Sequence, residues 1–161
     1  MKCENWVDYW SEDDFWKDSR LWEINSRIFF ERASRILEFK KSDCVLDIGC
    51  GPGYTETLLA PLVKSVYAVD VARQFIDICV KRCKDYKNVS VGHLDRGDYT
   101  NLEGFKGPFS IILCVSVVQY YRSVSEIEAD GRCRAERVGA VLVEAVACRL
   151  SRAVARREDA G

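Results

Sequence analysis

Three glycines at alternating positions, Gly49, Gly51 and Gly53, follow the short run Cys44-Val45-Leu46-Asp47-Ile48. Without a Cβ, such a loop can turn sharply and let the backbone approach a bound molecule closely. The helix expected to start at Tyr54 offers unpaired N–H groups and a partial positive charge. Asp70 ends a second β-branched run, Ser65-Val66-Tyr67-Ala68-Val69, 21 residues after Gly49. An acid at about that distance accepts hydrogen bonds from ribose hydroxyls. The two features together point to a nucleoside-bearing ligand at the carboxyl ends of parallel strands. Taken singly, each has a plain structural reading: a tight strand-to-helix turn, and a solvated strand-end acid.

Alternating elements must position these residues. Leu21, Ile24, Ile28, Phe29, Ile36 and Leu37 recur at helical spacing and predict a helix over 20–38. Residues 44–48 and 65–69 read as strands, Tyr54 to Val63 and Ala72 to Lys84 as helices, with Pro61 near the end of the first. A third strand begins at Val89. Ser110 to Val115 is a fourth, nearly continuous in apolar residues as in a sheet covered on both faces. Gly139 to Val146 is a fifth. This order predicts an α/β protein: a doubly wound, mostly parallel Rossmann-like sheet with helices on both faces, shortened after its fifth strand.

The chain has 161 residues, 24 Lys+Arg against 25 Asp+Glu, and a formal net charge of -1. That length suits one domain, divided as an N-terminal helical cap (1–40), a ligand-binding core (41–128) and an atypical Arg/Ala-rich segment (129–161). All 18 aromatic residues lie at or before Tyr121, while 129–161 carries seven arginines and no lysine. That segment reads either as a basic carboxy-terminal helix or as something other than the native continuation of the domain. The balanced charge argues against a nucleic-acid partner, and no apolar run is long enough for a membrane span. The polar amino terminus does not look like a secretory signal. Eight cysteines in a chain this long read as reduced thiols in a cytoplasmic protein. Cys79 and Cys83 share a helix face, but with His93 the only histidine they lack partners for a metal site, so none is expected.

Dinucleotide binding favours G-x-G-x-x-G, whose third glycine permits close helix–strand packing. Here the spacing is G-x-G-x-G with Tyr54 next, which departs from that pattern. The chain instead resembles the class I S-adenosylmethionine-dependent methyltransferases over about residues 20–128. Val45-Leu46-Asp47-Ile48-Gly49-Cys50-Gly51-Pro52-Gly53 is similar to their first motif and Val69-Asp70 to their second. Asn88-Val89-Ser90-Val91 leading to Asp95 resembles the third strand and its adenine-contacting acid. Phe109 to Cys114 resembles the fourth strand, with Ser110 where the family often has Asp.

The resemblance implies S-adenosylmethionine as cofactor. Gly49, Cys50, Gly51 and Gly53 would lie under its methionine and ribose, and Asp47 would reach the methionine amine. Asp70 would hold the ribose, with Val71 beside the adenine. Leu94 and Asp95 would flank the adenine, with Asp98 a nearby competitor, and Cys114 and Val115 would border the sulfonium. Gln119 and Tyr120 fall where family members line the acceptor pocket, and ordinary packing is the alternative for them. No catalytic residue stands out, because in-line methyl displacement needs mainly alignment and exclusion of water. His93 reads as a structural residue rather than a base. The aromatic amino-terminal part (Trp6, Tyr9, Trp10, Phe15, Trp16, Trp22) reads as packing on the sheet, with one or two lid contacts. The expected function is methyl transfer to a small-molecule acceptor, with no nucleic acid and no membrane. The rivals are a shortened or non-catalytic cofactor-binding domain and an NAD-dependent oxidoreductase.

Overall fold

The computed structural model describes residues 19–94, 109–115 and 140–144. In chain order the elements are α1 (Ser19–Ile36), β1 (Cys44–Ile48), α2 (Tyr54–Leu59), β2 (Ser65–Asp70), α3 (Arg73–Cys83), β3 (Val89–His93), β4 (Ile111–Val115) and β5 (Ala140–Glu144). The strands form one sheet in the order β3-β2-β1-β4-β5, and every pairing is parallel. The order reverses direction after β1, so the crevice between the carboxyl ends of β1 and β4 is the topological switch point.

Strand parity divides the core. Val45, Val66, Ile111 and Leu113 point to the face where Phe29 and Ala33 of α1 and Leu59 of α2 pack. Ala68 on that same face meets Ile76, Cys79 and Cys83 of α3. The opposite face carries Leu46, Ile48, Val69, Ile112 and Cys114, also buried, together with Val71, Leu94 and Phe109. The near-continuous apolar runs of β1 and β4 are thus explained: alternate residues serve two cores.

Helix α2 is shorter than its apolar pattern suggests. It ends at Leu59, and Pro61 is the reason: a residue with no N–H cannot continue the ladder. The N–H groups of Leu62 and Val63 both reach back to the Leu59 carbonyl (2.8 and 3.2 Å), and the Asn88 side-chain amide donates to the carbonyls of Ala60 and Val63 (2.9 and 3.3 Å). Ser110 has a role that its place in the motif does not reveal. Its Oγ accepts from the Cys44 N–H (3.0 Å) and its own N–H donates to the Cys44 carbonyl (2.9 Å). It fastens β4 to β1 at the amino ends of the strands, away from the switch point. Within the Arg/Ala-rich segment, β5 continues the sheet in register, Ile111 opposite Ala140 through Val115 opposite Glu144.

Candidate functional site

The loop from Gly49 to Gly53 joins the buried end of β1 to α2, and its glycines adopt the positive φ that their residue type permits (79°, 55° and 85°). Its N–H groups are occupied from within. Those of Gly49 and Cys50 both donate to the Val69 carbonyl at the end of β2 (2.8 and 3.0 Å). The Gly53 N–H donates to the Cys50 carbonyl (3.3 Å), and Pro52 has none. The Gly51 N–H donates to Oδ2 of Asp70 (2.8 Å), whose Oδ1 accepts from the Ala72 N–H (2.8 Å). Asp70 therefore ties the turn after β1 to the turn after β2. With the Val71 N–H also directed at it, the carboxylate keeps one of its four lone pairs open. Burial pushes the Asp70 carboxyl above its usual range, while the N–H groups of Ala72, Gly51 and Val71 and the nearby His93 pull it back.

Two further acids lie under the loop. Asp47 and Glu56 are 2% and 0% exposed, and among the described residues no N–H or O–H group from outside the pair reaches Oδ1 of Asp47 or either oxygen of Glu56. Burial pushes Asp47 from 3.8 to about 6; proton sharing with Glu56 pulls it back and the charge of Asp70 adds to the rise. Glu56 stands well above the carboxylate range, through burial first and then the neighbouring Asp47. Two acids so placed avoid mutual repulsion by holding a proton between them.

A row of thiols lines the other side. Cys50, Cys79 and Cys83 are buried together against Ala68 and Ile76. The hydrogen bond from Cys79 favours the Cys50 thiolate, yet burial and the charges of Glu56, Asp70 and Asp47 outweigh it, so Cys50 is held well above the ordinary thiol range. Cys79 and Cys83 are raised as well, by their bonds to Cys50 and Cys79 and by burial. Such thiols are poor nucleophiles, and they act here as packing.

Of the residues expected to contact a cofactor, Asp47, Gly49, Cys50, Gly51, Gly53, Asp70, Val71, Leu94, Cys114 and Val115 all stand at or just beyond the carboxyl ends of β1, β2, β3 and β4. Val71, Leu94 and Cys114 share one apolar cluster beside the switch point. Asp95, Asp98, Gln119, Tyr120 and Tyr121, and the aromatic residues before Ser19, lie outside the described residues. Trp22 packs behind the loop: a Cβ on Gly51 would stand 3.3 Å from its Cζ3, and its ring meets Phe75 edge-on at 5.2 Å. His93 Nε2 lies 2.9 Å from the Val71 carbonyl, a structural tie between β3 and the turn after β2.

Sequence reasoning missed Glu56 and Arg82. Neither belongs to a spaced motif. The Arg82 guanidinium lies 3.6 Å over the Tyr54 ring and donates to the Pro52 carbonyl, so α3 holds the loop from outside. An open cleft of about 430 Å³ beside it, lined by Glu23, Arg27, Tyr54, Arg82 and Asp85, faces outward between the helices.

The acid pair predicts a pH effect on stability. Both folded-state pKa values lie above the unfolded ones, so the folded chain binds more protons and loses stability as pH rises from about 4 upward. Glu56→Gln removes one of these groups and keeps its shape. Its melting temperature is expected to equal that of wild type near pH 4 and to exceed it by several degrees at pH 7 to 8. Thermal melts across pH check this; a Glu56→Gln protein no more stable than wild type at pH 8 contradicts it.

A methyltransferase-domain family profile matches residues 45–130, which spans β1 to β4 and the whole loop. The protein-L-isoaspartate O-methyltransferase of Vibrio parahaemolyticus is 33% identical over 98 residues, covering 60% of this chain and 46% of that protein. The ribosomal RNA small subunit methyltransferase A of Syntrophus aciditrophicus is 32% identical over 60 residues, covering 37% of this chain and 21% of that protein. Among solved structures, phosphoethanolamine N-methyltransferase 1 of Haemonchus contortus, crystallised with phosphoethanolamine and S-adenosylhomocysteine, superposes with a TM-score of 0.58 at 23% identity, over 72% of this chain and 23% of that one. The chain spans about half the length, or less, of these proteins.

These relatives correct one expectation. Near-zero net charge was expected to exclude nucleic acid and leave a small molecule as acceptor, yet a relative matched by sequence is a ribosomal RNA methyltransferase and another acts on protein. Formal charge averages over the whole surface, whereas an acceptor meets one local region of it. No helix among the described residues is long and apolar enough to cross a membrane. A family profile that covers more than half of the sequence, on a parallel sheet with the glycine loop and Asp70 at its switch point, shows that the chain belongs to the class I S-adenosylmethionine-dependent methyltransferases.

Proposed function

We propose that this chain binds S-adenosylmethionine at the β1–α2 loop and transfers its methyl group to an acceptor. One observation carries the reading: the loop offers carboxylates rather than N–H groups. The N–H groups of Gly49, Cys50, Gly51 and Gly53 already have partners, so the glycine loop itself offers an anion few open donors. Asp47, Glu56 and Asp70 converge there instead, and carboxyl groups suit a ligand with cationic groups and ribose hydroxyls. The occupied loop donors weigh against the dinucleotide reading on the same ground.

Bound S-adenosylmethionine supplies a methyl group on a sulfonium centre, open to in-line displacement. In this reading Asp70 would accept from a ribose hydroxyl with the lone pair left by Gly51, Ala72 and Val71. Asp47 takes the methionine ammonium. Val71 and Leu94 would enclose the adenine, and Cys114 and Val115 would border the sulfonium; by the family resemblance Asp95 would join the adenine site, and Gln119 and Tyr120 would line the acceptor pocket. The residues orient and exclude water, and no side chain has to carry a proton for the transfer itself. Cys44, Cys50, Cys79 and Cys83 are free thiols, which suits the reducing cytoplasm.

Isothermal titration with S-adenosylhomocysteine is expected to give saturable heat, and the ligand to raise the melting temperature where NAD leaves it unchanged. A folded protein with no heat refutes the reading, and protection by NAD alone transfers it to the dinucleotides. Transfer of a labelled methyl group is then measured on an isoaspartyl peptide, a structured ribosomal RNA and small amines, because the relatives act across those classes. Binding without turnover on all three supports a non-catalytic cofactor-binding domain.

A further inference from the structure

Glu56 belongs to none of the motifs, yet it is fully buried, and α2 sets it against Asp47. Three of the pair's four carboxyl oxygens are reached by no donor from outside the pair among the described residues. An unpaired buried carboxylate is strongly unfavourable, so a glutamate with no cation beside it has to act as a neutral acid. Among the described residues the surroundings supply no compensating cation. Asp70 of β2 adds negative charge to Asp47, and Leu113 of β4 stands opposite Asp47 in the sheet. Cys50 of the loop and Cys79 and Cys83 of α3 are the other titratable groups of this cluster, and all three stay protonated. From the helices, Arg82 is held over the Tyr54 ring, and Arg27 of α1 pairs with Glu23 at 3.1 Å.

We infer that Glu56 is a positioning residue that acts through Asp47: as a neutral acid it donates its proton to one Asp47 oxygen and leaves the other ionised for a ligand ammonium group. The donor has a second effect. A hydrogen bond to the charged form favours that form, so Glu56 keeps Asp47 ionised at a pH where burial alone would neutralise it. The inference rests on the cofactor reading above and assigns to this chain a second acid behind the loop.

The test is the pH profile of S-adenosylhomocysteine affinity, measured by titration calorimetry from pH 5 to 8. Wild type is expected to gain roughly tenfold per pH unit until Asp47 is ionised, near pH 6, and to level off above it. Glu56→Leu removes the donor and is expected to move that midpoint up by about a unit or more, with weaker binding at neutral pH. Glu56→Gln restores a donor through its amide N–H and is expected to return the midpoint toward wild type. A merely space-filling role would leave the midpoint alone in both variants, and that result overturns the inference. A flat wild-type profile overturns it too. Should Glu56→Leu not fold, carboxyl-carbon NMR of wild type decides: one glutamate still protonated at pH 7 is expected, and full ionisation of all glutamates overturns the proposal. Absence of any ligand heat from folded protein refutes the cofactor reading instead and removes this inference with it, an outcome distinct from binding with an unmoved midpoint.

Discussion

Gly53→Ala is expected to destabilise the protein by about 2–5 kcal/mol, summing a left-handed backbone penalty and overpacking. In a chain of this length that lowers the melting temperature by about 10 °C. The φ of Gly53 is +85°, and a Cβ there would stand 2.7 Å from the Cys79 Sγ, 3.0 Å from the Cys79 Cα and 3.1 Å from its Cβ. The thiol can turn away; the Cα of a helix packed on β2 cannot. Cys79→Ala in the same chain is therefore expected to restore only part of the loss. Gly51 gives the internal comparison. Its φ is +55°, and the nearest obstacle to a Cβ is the Trp22 ring, 3.3 Å away. A side chain can shift by a few tenths of an ångström, so Gly51→Ala is expected to cost about 1–2 kcal/mol, the conformational part alone. Circular-dichroism melts of both variants rank them. A Gly53→Ala protein within about 2 °C of wild type would show that α3 moves aside and that the close approach is not a constraint.

The second large effect falls on Asp70. Asp70→Asn keeps the shape but replaces one acceptor oxygen by an NH2 group, which then faces a backbone N–H of either Gly51 or Ala72. A buried donor left without a partner costs about 1–3 kcal/mol, and a hydrogen bond to a charged group contributes about 1.5–3 kcal/mol. The substitution is expected to lower the melting temperature by several degrees and to weaken S-adenosylhomocysteine binding by roughly 100-fold, since each 1.4 kcal/mol is tenfold. Calorimetric titration measures the second. An affinity within threefold of wild type would remove Asp70 from the ribose site and leave it only the task of joining two turns.

These two residues also show how far the sequence could be read. The need for positive φ is a local property of a strand-to-helix turn, so three alternating glycines announce it. That Gly53 must also admit the backbone of Cys79 is not local: the contact crosses β2 and depends on how closely α3 docks. Asp70 was legible as a strand-end acid at ribose distance, but its two backbone partners were not, because Gly51 lies 19 residues earlier and meets it only after the chain has crossed over. Glu56 and Arg82 gave no signal, since one acid and one arginine on amphipathic helices look like ordinary surface charges. Helix periodicity does not say which turn of α2 faces Asp47.

By itself the sequence determined the alternation of strands and helices, the glycine turn, Asp47 and Asp70 at strand ends, and with them the family. Each depends on near neighbours: residue type, period, and distance along one β–α–β unit. Only the tertiary structure shows which groups meet at the loop. Parallel pairing of β1 with both β2 and β4 gathers Asp47, Glu56 and Asp70 under one loop and gives the loop's N–H groups to Val69, Cys50 and Asp70. Burial then raises the carboxyl pKa of two of the acids and favours their protonated forms. A glycine loop in the sequence is equally consistent with an anion cradle and with a seat for a cation. The difference lies in where its donors go, and that is settled only when distant strands meet.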